Sequence, residues 1–279
     1  MEEVAISRVA KGSAYLLLGT FGSNAISVVA FMVIARAIPP PEMGVATIIA
    51  LLITLGQITS DAGISTSIVK FISEARGRGE EVGHFITASF MSRVLLALAF
   101  SLSLISLSQP ISSSLLGGED YIVLLYLAVV DLIFIGLLTT FTAILVGLNR
   151  MREVCVSSLL ATISRQATAI TLITHGWGVF GYITGWAVGD IMGSVVAGVA
   201  IILALRSDRR EKEGVLKTMR ELLRFSWPIL ITNLANYLFI CFDRFTLATV
   251  GTQEELGLYG VAMKAYTVIT MIPMNIAMA

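Results

Sequence analysis

Charge is scarce in this chain. Asp, Glu, Lys and Arg make up 14% of its 279 residues, against roughly 25% in an ordinary soluble domain. That is too little polar surface for a soluble enzyme, and too much apolar content for a disordered chain. Cysteine is nearly absent: Cys155 and Cys241 both lie in apolar runs, so neither a disulfide framework nor a zinc site is expected. The two histidines, His84 and His175, sit at the ends of apolar runs without a metal-ligand companion. There is no P-loop, no glycine-rich nucleotide loop and no nucleophile elbow. An ATP-driven motor, a bound cofactor and an enzyme are therefore not expected. Nineteen basic against nineteen acidic residues leave no basic excess that would suggest a nucleic acid partner.

What the chain has is apolar length. Hydrophobic residues reach 56%, and the mean hydropathy is +0.86. A helix needs about 20 mostly apolar residues to cross a bilayer. Eight stretches qualify, near 13–35, 45–69, 85–108, 121–147, 155–175, 179–205, 225–250 and 257–279. They are continuously apolar rather than alternating, which favours helices over barrel strands. The expected fold is an all-α membrane protein of about eight transmembrane helices. Pro39-Pro40-Pro41 ends the first span, because proline lacks a donor and disfavours helix before it. Ala35-Arg36-Ala37 has the shape of a signal-peptide cleavage site, but the apolar run is too long, so an uncleaved membrane helix is expected. Pro228 is read as lying in the first turn of span seven, where proline is tolerated. Trp177, Tyr182 and Trp186 read as an interfacial belt.

Basic residues alternate with the spans. Arg8 and Lys11, then Lys70, Arg76 and Arg78, then Arg150 and Arg152, then Arg206, Arg209, Arg210, Lys212, Lys217, Arg220 and Arg224 all fall on one side. Only Arg36 falls on the other, beside Glu42, Glu119, Asp120, Glu254 and Glu255. The positive-inside rule places the multi-pass chain in the cytoplasmic membrane with its N-terminus in the cytoplasm. Three segments follow: residues 1–205, a six-helix lobe; 206–224, a basic linker with an amphipathic tail at the inner surface; and 225–279, the first two helices of a second lobe. Span seven echoes span one, Asn233 and Arg244 answering Asn24 and Arg36, as in parallel-repeat transporters.

The remaining charges lie within spans, where each costs about 2.5–3.5 kcal/mol near the bilayer centre. At about 1.5 Å of rise per residue, Asp131, Arg165 and Asp190 form a layer near the midplane. Asp61 and Arg93 share a depth nearer the inner ends, and Asp243, Arg244 and Lys264 lie in the outer half. One reading is pairing, Asp61 with Arg93 and Arg165 with Asp190 or Asp131, which neutralises charge and fixes helix packing. The other is a solvated cavity in which Arg93, Arg165, Arg244 and Lys264 hold an anionic head group. In that cavity Asp61, Asp131, Asp190 and Asp243 are ion-coupling or charge-pair candidates.

Short motifs add a resemblance. Gly12-Ser13, Ala35-Arg36, Pro41-Glu42-Met43-Gly44, Ser60-Asp61-Ala62-Gly63-Ile64, Asp243-Arg244 and Leu256-Gly257-Leu258-Tyr259-Gly260 resemble the polysaccharide flippases of the multidrug/oligosaccharidyl-lipid/polysaccharide exporter superfamily. The resemblance implies two lobes of helices, here with the second lobe truncated. It also implies movement of a lipid-linked oligosaccharide, held by its phosphate, across the membrane by alternating access. Implied partners are that glycan lipid, membrane lipids, and glycan-assembly proteins or a second chain completing the second lobe. A cation-coupled multidrug exporter of the same superfamily, leaning on Asp131 and Asp190, is the nearest alternative. A non-transporting membrane subunit is the alternative from another class.

Overall fold

The computed structural model describes residues 2–205 and 214–277. Ten helices account for nearly all of them: α1 (Glu2–Ala37), α2 (Pro40–Asp61), α3 (Ile64–Arg78), α4 (Gly83–Ser106), the single turn α5 (Ser108–Ile111), α6 (Ile122–Gly147), α7 (Met151–Thr174), α8 (Gly178–Ala204), α9 (Val215–Val250) and α10 (Gln253–Ala277). Among the described residues there is no strand, as the unbroken apolar runs imply. Seven helical stretches are long and apolar enough to cross a membrane: 14–37, 40–78, 83–106, 119–147, 151–174, 178–204 and 215–250. The eighth, α10, has 25 residues, about 37 Å of helix. The turns after α1, α5, α7 and α9 gather at one end of the bundle, the acidic end. The turns after α3 and α6 and the C-terminal end of α8 gather at the basic end.

The second apolar run differs from expectation. It is two helices, broken where Ala62 (φ 45°) and Gly63 (φ 77°) adopt left-handed backbone. A side chain at Gly63 would lie 2.9 Å from both the Ser226 carbonyl oxygen and the Ile229 side chain of α9, so only glycine fits the bend. The Asp61 carboxylate accepts the Ser65 amide and hydroxyl at the start of α3. Asp61 is therefore not a mid-helix residue but the last residue of α2.

The seventh span differs as well. Residues 206–213 of the expected linker lie outside the described residues, along with Arg206, Arg209, Arg210 and Lys212. From Val215 the basic tail runs without a break into the span as one helix of 36 residues. Leu222 is fully buried among α3 and α4 residues, and the Ser67 and Ser226 hydroxyls bond across at 2.6 Å. Lys70 lies 4.3 Å from the Phe225 ring centroid. The tail is thus part of the bundle, and Pro228 is an interior helix residue rather than a first-turn one.

Lipid gives helices no water-driven reason to associate, so close backbone approach and polar contacts hold them together. The α7–α8 pair shows this most fully. Gly181, Gly185, Gly189 and Gly193 recur every four residues and put one bare stripe of α8 against α7. An added Cβ at Gly185 would lie 2.7 Å from the Ala169 Cβ, and at Gly189 2.5 Å from the Arg165 Cβ. The α2–α10 pair repeats the device at the acidic end. Gly44 lies against the Gln253 carbonyl and Gly257 against the Pro40 carbonyl, with no room for a side chain at either.

The acidic end is tied further. Glu42 accepts the Val179 amide at 2.8 Å at the N-terminus of α8, a favoured place for an anion. At the start of α10, Thr252 and Glu255 form a capping box, with the Thr252 amide donating to Glu255 at 2.8 Å and the Glu255 amide to Thr252 Oγ1 at 3.2 Å. The Thr252 amide above all holds the exposed Glu255 carboxyl below the usual carboxylate range.

Candidate functional site

Two charged groups meet in one cavity. Between α1, α2, α8, α9 and α10 lies a space of about 400 Å³, lined by Arg244 of α9 and Lys264 of α10. Its other walls include the aromatic rings of Phe31, Tyr182, Trp186 and Tyr237. Tyr237 is anchored, its hydroxyl donating to the Leu51 carbonyl at 2.6 Å. The Lys264 ammonium lies 5.9 Å from the Phe31 ring centroid, and among the described residues no carboxylate is within ion-pair distance of it.

Arg244 is only loosely held. Its Nε is 3.7 Å from the Asp243 carboxylate and has no hydrogen-bond partner, although buried. One guanidinium nitrogen reaches the Ile240 carbonyl at 3.3 Å. Asp243 is turned elsewhere: one oxygen accepts the Arg244 backbone amide at 2.7 Å, and the other takes the Tyr259 hydroxyl of α10. The Asp243 carboxylate therefore ties α9 to α10 and leaves the Arg244 side chain facing the cavity.

A second space of about 620 Å³ adjoins the first between α1 and α10. Phe31, Lys264 and Thr267 line both. Its walls are mainly apolar, with Asn24 and Arg36 as polar points along α1.

The other two expected cationic ligands lie apart from this cavity. Arg93 of α4 is wholly buried, 3.4 Å from Asp61 and 3.2 Å from the Gln57 carbonyl to which it donates. Gly136 of α6 makes room for it, since a Cβ there would lie 2.7 Å from Arg93 Nε. Arg165 of α7 pairs with Asp190 of α8, a pairing that follows from the glycine stripe. Asp131 of α6 is 2% exposed and faces Asp190. So the eight charges divide into a pair, Asp61 with Arg93; a cluster of Asp131, Arg165 and Asp190; and the cavity group Asp243, Arg244 and Lys264. Among the described residues no group of three side chains is arranged to hold a metal ion.

The aromatic walls are what sequence reading missed. Tyr182 and Trp186 do not form an interfacial belt. Tyr182 is 8% exposed and both turn into the cavity, while Trp177 alone of the three is exposed. Their spacing of four, one residue after each of Gly181 and Gly185, was the available signal. It puts the two rings on one face of α8, beside its glycine stripe.

Fold and cavity define a polytopic α-helical membrane protein with a cationic, aromatic-walled chamber between α1, α2, α8, α9 and α10 and open apolar space beside it. Residues 9–279 match the family described as polysaccharide biosynthesis protein, and the chain belongs to that family. No curated protein matches it.

Proposed function

We propose that the chain forms part of a flippase that carries a lipid-linked oligosaccharide, a polysaccharide precursor, across the cytoplasmic membrane by alternating access. One observation carries the reading: Arg244 and Lys264 share an aromatic-walled cavity whose lining, among the described residues, holds no carboxylate, while the neighbouring Asp243 is engaged by the Arg244 backbone amide and the Tyr259 hydroxyl. Two cations beside one carboxylate are costly in the membrane, and a phosphate or pyrophosphate supplies the missing charge. Aromatic faces suit the apolar faces of sugar rings. The apolar space between α1 and α10 suits the hydrocarbon chain, which then meets the head group at Lys264, the charged residue common to both spaces. In this reading the basic end faces the cytoplasm, and the protein performs no covalent chemistry.

Charge-assisted hydrogen bonds are each worth about 1.5–3 kcal/mol, or roughly tenfold to a hundredfold in affinity. Arg244→Ala and Lys264→Ala are expected to abolish glycan export in cells that depend on this protein, with membrane insertion unchanged. Arg244→Lys is expected to keep partial export. Normal export by both alanine variants, at wild-type protein level, would refute the assignment.

A further inference from the structure

Arg244 lines the cavity although a counter-ion stands next to it. Among the described residues, Asp243 is the one carboxylate within ion-pair distance of Arg244, yet the two side chains share no hydrogen bond. Arg244 Nε lies 3.7 Å from Asp243 Oδ1, beyond the roughly 2.7–3.2 Å of an N–H···O bond. That Nε is buried with no partner. A buried donor left unpaired beside a carboxylate calls for a cause, because a turn of the carboxylate would satisfy it.

The cause is a second donor. The Arg244 backbone amide donates to Asp243 Oδ1 at 2.7 Å, and the Tyr259 hydroxyl of α10 donates to Oδ2. One bond leaves the carboxyl group free to swing about its Cβ–Cγ axis, and two fix it. The place of Tyr259 is set in turn by α2. Gly257 packs on the Pro40 carbonyl with no room for a side chain, and Gly260 packs on Thr47. These contacts fix the rotation of α10 about its axis, and Tyr259, which stands between the two glycines in sequence, meets α9.

We infer that Tyr259 is a positioning residue. Its hydroxyl holds the Asp243 carboxylate off the Arg244 guanidinium and keeps that charge available to an anion in the cavity. Without the hydroxyl, Oδ2 lacks a donor while Arg244 Nε lacks an acceptor, so the carboxylate turns and the two meet in a charge-assisted bond. The guanidinium is then answered within the protein instead of by a ligand. Lys264 has no carboxylate within ion-pair distance among the described residues, so the cavity is weakened rather than abolished. The effect on a ligand rests on the proposed anion cavity; the restraint on Asp243 does not.

The test uses the full chain in lipid nanodiscs and two readouts. Phenylglyoxal attacks the neutral guanidine, so an arginine in a close carboxylate pair reacts more slowly. Tyr259→Phe is expected to slow labelling of Arg244 about fivefold or more, read by mass spectrometry against exposed Arg220. It is also expected to weaken binding of geranyl pyrophosphate about tenfold. Adding Asp243→Asn to Tyr259→Phe removes the competing charge and is expected to restore both, although the bond from α9 to α10 stays broken. Labelling of Arg244 at the wild-type rate in Tyr259→Phe overturns the inference. Slow labelling in the single and the double variant alike makes Tyr259 a tie between helices only, and overturns it too. If labelling follows the expected pattern and the wild type does not bind geranyl pyrophosphate, the restraint on Asp243 stands and the proposed anion cavity fails. If the probe binds wild type and Tyr259→Phe equally, the cavity stands and the positioning role is overturned.

Discussion

A buried arginine needs its carboxylate more than the carboxylate needs the arginine. Arg93 has only Asp61 and one carbonyl to answer its charge, whereas Asp61 also accepts two donors from Ser65 at the start of α3. Removing one partner of a buried pair costs about 3–5 kcal/mol. Asp61→Ala is expected to lose that much, seen as a lower thermal midpoint and lower yield of monodisperse protein in detergent. The double variant Asp61→Ala/Arg93→Met is expected to recover most of the loss, because no stranded charge remains. That these two side chains meet was legible in the sequence, since equal depth on neighbouring spans and opposite sign are enough to pair them. That Arg93 and Arg165 stand outside the cavity was not. Sign and depth are the same for a ligand and for a structural partner, and only the direction of each side chain separates them.

At the scale of helices, the glycine stripe of α8 decides where the cluster sits. Gly185 lies 2.7 Å, measured from an added Cβ, from both the Ala169 Cβ and the Arg165 carbonyl. Gly185→Leu is therefore expected to push α7 from α8 at a cost of about 1–3 kcal/mol and to pull Arg165 away from Asp190. Gly77 of α3 has nothing within 4 Å of its added Cβ, and Gly77→Ala is expected to leave the thermal midpoint unchanged or slightly raised. Helix existence and the all-α class followed from apolar length alone, but two boundaries did not. The break at Ala62–Gly63 has only Asp61, Gly63 and Ser65 to mark it within an apolar run, and the close approach of Ser226 and Ile229 comes from a distant helix. The fusion of residues 215–224 to the seventh span was hidden by the opposite effect. A basic, amphipathic stretch reads as a surface element, and packing of Leu222 and Ser226 on α3 overrides that local pattern.

At the scale of the whole molecule, the cavity lies beneath a closed acidic end. Gly44 and Gly257 bring α2 and α10 into backbone contact there, Glu42 binds the start of α8, and Gln253 of α10 donates to the Leu115 carbonyl. A cargo that leaves through that end must first part α10 from α2, so a covalent link between these helices should hold the protein shut. Thr47 and Gly260 offer the place: a Cβ at Gly260 would lie 3.5 Å from the Thr47 Cβ, within the roughly 3.5–4.5 Å of disulfide-bonded pairs. Thr47→Cys/Gly260→Cys, in a background with Cys155 and Cys241 replaced, is expected to cross-link under mild oxidation. Export should fall to background when the link forms and return on adding reductant, while oxidant leaves the export of each single cysteine variant at its own reduced-state level. Full export by the oxidised double variant, with cross-linking verified by mobility on a gel, would show that the acidic end need not open between α2 and α10.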